Sequence, residues 1–163
     1  MDRVTPALQL DNPLVARFWA KVAIGGPDDC WEWTAAKREG YGQFWDGKKS
    51  HEAHRFIYSV TVGEIATGLV CDHLCHNRKC VNPSHLRVCS RKDNNRFKLL
   101  RKDSSTGFKG VKRGHRSQRW QARIKVDGVA ISLGTFDTPE LANAAYTEAA
   151  RVHFGEFACG GAA

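Results

Sequence analysis

The chain has 163 residues, enough for one ordinary domain or two small ones. Hydrophobic residues make up 42% and charged residues 26%, a globular composition, and no apolar run approaches the ~20 residues of a membrane span. The net charge of +8 is unevenly spread: residues 1–95 hold 13 basic and 11 acidic residues, residues 96–163 hold 12 and 6. Such a field attracts phosphate backbones and anionic lipid surfaces alike, the plainer reading being a solvated basic face. The N-terminus lacks the continuous apolar core of a signal peptide, so an intracellular, cytoplasmic location with no membrane partner is expected. In that setting the six cysteines, at 30, 71, 75, 80, 89 and 159, point to metal rather than disulfides.

In chain order, Leu14 to Val22 has the apolar spacing of a short helix, and Gly25 to Asp29 breaks the chain. Trp31 and Trp33 flank polar Glu32 as in a half-buried strand. Gly40 to Phe44 reads as a strand and Asp46-Gly47 as a hairpin turn. His54 to Val62 suits a helix, and Val70–Leu74 and Leu86–Cys89 are further strands. Asn82-Pro83 predicts a helix start with Asn82 as cap. Residues 98–106 are a polar linker. From Trp120 to Val126 apolar and basic residues alternate, Asp127-Gly128 turns the chain, and Val129–Phe136 returns. Thr138-Pro139-Glu140 caps a final helix with a stripe of Leu141, Ala144, Ala145, Ala149 and Val152.

The segment from Cys71 to Leu86 carries the densest chemistry. A neutral histidine such as His73 can take a proton from water. A carboxylate such as Asp72 can hold a divalent cation that neutralises a phosphate. On a strand these neighbours point to opposite sides. A helix starting at Asn82 would carry His85 back towards Asp72. Cys75 and Cys80, with Cys30 or Cys71 nearby and His76 as a fourth donor, suit either a structural zinc site or buried free thiols.

Residues 17–97 resemble the HNH endonucleases, in particular their phage and intron-encoded branch. The resemblance rests on Arg17-Phe18-Trp19, Cys30-Trp31-Glu32-Trp33-Thr34, Gly40-Tyr41-Gly42, Ala53-His54-Arg55, Asp72-His73, Cys75, Cys80 to Leu86, and Asp93-Asn94. It implies an α+β chain whose first domain, 1–97 with its core at 30–97, is a ββα-metal fold. It also implies His73 as general base, Asp72 and His85 as ligands of Mg2+ or Mn2+, and Asn82 as orienting or bracing residue. Arg55 becomes a candidate phosphate contact. Duplex DNA would be cut to 5′-phosphate and 3′-hydroxyl ends by a monomer or weak dimer, of homing or phage type. Residues 107–158 resemble the AP2 DNA-binding domain through Gly107 to Lys112, Trp120 to Lys125, Leu133 to Thr138, Glu140-Leu141-Ala142 and Ala144-Ala145-Tyr146. A three-stranded sheet plus helix follows from that likeness, with Lys109, Lys112, Arg113, Arg123 and Lys125 towards DNA. Ala130 and Ser132 stand where an arginine and a tryptophan are usual, so base preference does not carry over. The competing reading is a non-catalytic DNA-binding regulator with a zinc-stapled scaffold.

Overall fold

The computed structural model describes residues 12–97, 100, 106–115 and 118–158. Most of the expected linker and Cys159 lie outside these. The chain divides into two compact units, Met1–Arg91 and Lys92–Ala163.

The first unit opens with α1 (Pro13–Trp19), where the Asn12 side chain accepts a hydrogen bond from the Leu14 N–H. A two-stranded ladder follows, β1 (Val22–Ala23) against β2 (Glu32–Trp33). A three-stranded antiparallel sheet is ordered β3 (Lys37–Arg38), β4 (Tyr41–Trp45), β5 (Ser50–Glu52). Then come α2 (Ala53–Thr61) and an antiparallel pair, β6 (Leu69–His73) with β7 (Leu86–Ser90). The core is supplied chiefly by α1, β2, β4 and α2. Phe18 and Phe44 are fully buried among Trp19, Trp31, Trp33, Phe56 and Ile57, with ring centroids 4.5–6.0 Å apart. Gly42 is required by this packing, because a Cβ there would lie 2.6 Å from the Trp33 ring.

Between β6 and β7 the expected helix is not formed. Asn82 does cap, accepting from the Ser84 N–H at 3.0 Å, but the turn it opens is a single 3-10 turn, Pro83–His85. Leu86 at once takes extended φ and ψ because it pairs with His73. The regular helix comes later, as α3 (Arg91–Phe97), directly after β7.

From Lys92 onward the second unit takes over. Arg96 pairs with Asp93 at 2.8 Å and Asp127 at 3.1 Å, and lies 4.4 Å over the Phe154 ring. A sheet ordered β8 (Val111–Arg113), β9 (Trp120–Val126), β10 (Val129–Phe136) packs on α4 (Pro139–Phe154). The alternation foreseen for β9 holds. Ala122 and Ile124 are buried against Ala142, Tyr146 and Ala150, while Arg123 and Lys125 are exposed.

Gly110 sits at φ +69°, and a Cβ there would meet the Tyr146 ring at 2.3 Å and the Arg123 carbonyl at 2.5 Å. Gly110→Ala should destabilise the second unit by about 1–3 kcal/mol. Thermal denaturation with near-UV circular dichroism should show one transition falling. Loss of both transitions together would mean that the units do not unfold separately.

Candidate active site and metal centre

Asp72 and His73 end β6, and the pleat turns their side chains apart. The Asp72 carboxylate shares its face with Arg87, its partner in the ladder, at 3.3 Å. His73, 5% exposed, points inward. Its Nε2 lies 3.1 Å from the Cys80 carbonyl oxygen. A carbonyl only accepts, so Nε2 carries the proton and Nδ1 is left with its lone pair. Burial holds the His73 pKa below the ordinary imidazole range, against the raising effect of that carbonyl. His73 is thus a neutral, oriented proton acceptor.

A second histidine accompanies it. The His54 ring centroid is 4.6 Å from that of His73, and Tyr41 lies 5.4 Å and 6.0 Å from the two. His54 is pushed down to about 3, chiefly by burial and then by the neighbouring His73 and Arg55. Its Nδ1 is buried without a hydrogen-bond partner within normal distance, and Glu52 approaches Nε2 at 3.8 Å. Arg55, one residue on, lines an open hollow of about 480 Å³ with Lys49, His51, Glu52 and Ser59.

The cysteines settle differently from the spacing argument. Sγ atoms of Cys30, Cys75 and Cys80 and a ring nitrogen of His85 all lie within 4.8 Å of one another. His85 Nδ1 is 3.7 Å from Cys30 Sγ and 3.6 Å from Cys80 Sγ. A tetrahedral zinc with Zn–S near 2.3 Å and Zn–N near 2.0 Å has ligand–ligand edges of about 3.5–3.8 Å, so this Cys3His group fits structural zinc. Hydrogen bonds from the Cys80 thiol, the Asn77 N–H and the Cys30 thiol hold the Cys75 thiol below its ordinary range. The same contact with Cys75, and burial, push Cys80 up.

His85 brings its Nδ1 to the sulfurs of Cys30 and Cys80 from a tight 3-10 turn rather than a helix. Cys71 is not a member of the sulfur group. Strand parity puts it on the buried side of β6, in the aromatic core, where burial pushes its thiol up to about 12. His76 is likewise outside the group. The sequence signal that would have found the right fourth donor is the tight spacing Cys80-x4-His85 within one turn-rich loop.

Backbone pairing closes the group. Trp33 N–H donates to the Lys79 carbonyl and Val81 N–H to the Trp31 carbonyl, so the segment after Cys30 runs beside Cys80. Asn82 braces this join: its Nδ2 donates to the carbonyls of Pro27 at 3.0 Å and Asp29 at 2.8 Å. These bonds go to backbone and tie the loop at Pro27–Asp29 to the turn at Asn82.

On the second unit, Lys112, Arg113, Arg123 and Lys125 are exposed. Lys125 stands opposite Ala130 and Arg123 opposite Ser132, small neighbours that leave the long side chains clear. Arg113 binds the Gln118 side chain and lies 5.9 Å from the Trp120 ring centroid. Lys109 Nζ donates to the Arg96 carbonyl at 2.5 Å, which ties it to α3.

An HNH endonuclease family model matches residues 51–96. Protein 7.7 of Escherichia phage T7 is 43% identical over 68 residues, 41% of this chain and 52% of that protein, so the chain spans about half the length of that relative. Protein 2.8 of the same phage is 33% identical over 106 residues, 63% of this chain and 68% of that protein. The uncharacterized gene 5.3 protein of Enterobacteria phage T3 is 34% identical over 71 residues, 40% of this chain and 70% of that protein. No solved structure matches the chain.

Elemental analysis of the purified chain should find one zinc per molecule. Cys80→Ser should release it and lower the melting temperature by roughly 10 °C or more, since such a metal contributes directly to folding. His54 gives a separate pH signature. Its folded pKa of about 3 lies below the unfolded 6.5. Stability is therefore full above pH 6.5 and falls as the pH drops towards 3, by at most ~1.4 kcal/mol per pH unit. Denaturant titrations of wild type and His54→Gln between pH 7 and 4 should show a flatter slope for the variant; equal slopes would refute the assignment.

Proposed function

Because this chain belongs to the phage protein family that includes Protein 2.8 of phage T7, and carries an HNH endonuclease-type domain over residues 51–96, we propose that it is a metal-dependent DNA endonuclease. The observation that carries the reading is the His73–Cys80 contact, which leaves Nδ1 of a neutral imidazole as an oriented base at the end of β6.

Phosphodiester hydrolysis then runs as follows. His73 Nδ1 takes a proton from water as its oxygen attacks phosphorus. The bond from phosphorus to the 3′-oxygen breaks, solvent protonates the leaving oxygen, and the ends are a 5′-phosphate and a 3′-hydroxyl. Asp72 offers a hard oxygen donor, half-buried and held by a long 3.3 Å contact to Arg87 that a cation can replace. Mg2+ keeps several waters and binds through one or two carboxylates plus substrate phosphate, so this donor fits it, and Mn2+ as well. When bound there, the ion neutralises charge on the scissile phosphate and the departing oxygen. Arg55 and Arg87 are the nearby cations that a phosphate would meet. Asn82 braces the loop, and the Cys3His group holds zinc for structure alone.

The second unit supplies the DNA guide in this reading, as an AP2-like sheet. Lys112, Arg123 and Lys125 make phosphate contacts, with Arg113 at the edge. A sheet of this size fits the major groove. Phage origin agrees with the relatives; the chain acts in the host cell as monomer or weak dimer.

Plasmid DNA incubated with Mg2+ or Mn2+ should be cut by the wild type and about 10² to 10⁴ times more slowly by His73→Ala. Equal cutting by both would overturn the role of His73. Intact DNA with firm binding would favour the non-catalytic regulator. Changing Lys112, Arg123 and Lys125 to Gln should weaken binding and flatten its salt dependence while metal-dependent cutting persists at high protein concentration.

A further inference from the structure

We infer that the tip of the β4–β5 hairpin, Trp45 with Lys48 and Lys49, is a second DNA-contacting element that grips the substrate a few nucleotides from the cut. The inference rests on the nuclease reading above and names how the first unit itself holds the strand.

Trp45 stands out among the tryptophans. Trp19, Trp31 and Trp33 are buried, whereas Trp45 is 56% exposed. The neighbouring Phe44 fills the core, so the pleat directs Trp45 to the outer face of the sheet. Its backbone is anchored: the Arg17 guanidinium donates to the Trp45 carbonyl at 2.5 Å while lying 5.4 Å from the Phe44 ring centroid.

The turn beyond it is equally fixed. Asp46 Oδ1 accepts from the N–H groups of Lys48 and Lys49, both at 2.7 Å, and Oδ2 lies 2.6 Å from His51 Nε2. These bonds hold the Asp46 carboxyl well below its ordinary range and use its charge within the turn. Lys48 and Lys49 are exposed and have no ion-pair partner among the described residues. A rigid indole with two unpaired ammonium groups beside it combines a stacking platform with phosphate contacts. An apolar partner would not call for the lysines.

The face leads somewhere. Tyr41, Gln43 and Trp45 share it by alternation along β4, with Ser50 opposite Trp45, Glu52 opposite Gln43 and Arg38 opposite Tyr41. Arg38, Glu39, Tyr41, Gln43, Ser50 and Glu52 line a hollow of about 320 Å³. At its far end the Tyr41 ring meets His54 and His73. Trp45 and Tyr41 are four residues apart, about 13 Å along a strand. That span is roughly two to four nucleotides of DNA, at 3.4 Å or more per nucleotide. The two carboxylates on this face, Glu39 and Glu52, lie towards the histidines and not at the tip. Phosphates are therefore attracted at the hairpin end.

The test uses the full chain carrying His73→Ala, so that DNA survives, and a labelled duplex ending in a single-stranded tail whose bases are free to stack, without added Mg2+ or Mn2+. Adding Trp45→Ala should weaken binding about tenfold, and Trp45→Phe should recover most of it. Adding Lys48→Gln with Lys49→Gln should flatten the salt slope by about two. Acrylamide should quench an exposed tryptophan in the free protein, and DNA should protect it except in Trp45→Ala. Unchanged affinity and slope in these variants overturn the inference. So does an indole already shielded without DNA, which would mean that another part of the chain or a second copy covers it. If the His73→Ala background binds no DNA at all, the nuclease reading fails first, and this inference with it.

Discussion

Cys80 is where structure and chemistry meet in the first unit. Its sulfur belongs to the Cys3His group, its carbonyl accepts a hydrogen bond from His73 Nε2, and its N–H donates to the Asn77 carbonyl at 3.0 Å. Glu32 bridges to it across the sheet. Zinc at the sulfurs would therefore fix a carbonyl, the carbonyl would fix a tautomer, and the tautomer decides which nitrogen can take a proton. A cation held there would act by removing freedom from a loop of twelve residues between two short strands, a length that ordinary packing seldom holds in one conformation.

The second unit is organised by another kind of constraint. Its core is small, with Ala122, Ala142 and Ala150 letting α4 approach the sheet closely. Close approach is why Gly110 tolerates no side chain and why Tyr146 can cap the packing from the helix side. The outer face is then left to residues chosen for charge and reach. In the first unit the order is reversed. A large aromatic core sits beneath a sheet whose outer face is mixed, with basic groups at the hairpin end and carboxylates near the histidines.

Elements with a strict period were legible from sequence. β9 and β10 appear with the boundaries expected, because seven residues of alternation lead into an Asp-Gly turn that returns the chain along them. The helix after Thr138 was likewise written in its cap and alanine stripe. α3 was missed because it has no apolar stripe: Arg91 to Phe97 is polar almost throughout, and its hold comes from ion pairs with Asp127 and a ring contact with Phe154. β5 was missed because Ser50 to Glu52 pairs by backbone and not by hydrophobic pattern. At Asn82-Pro83 the cap signal was real, but the pairing of Leu86 with His73 outweighed helix propagation. For the site, residue types and Asp72-His73 were visible in one dimension. The partition of donors was not. Cys71 goes to the core by strand parity, and Cys30 is recruited only through the pairing of residues 31–33 with 79–81.

The Cys3His group also imposes an order in time. Cys30 and His85 are 55 positions apart, and the three C-terminal donors fall within residues 75–85. At 5–20 residues per second of synthesis, a ribosome presents Cys30 about 3 to 10 s before the last donor is made. During that interval the donor set is incomplete, so an ion could be captured by the whole group only once the segment through His85 has emerged.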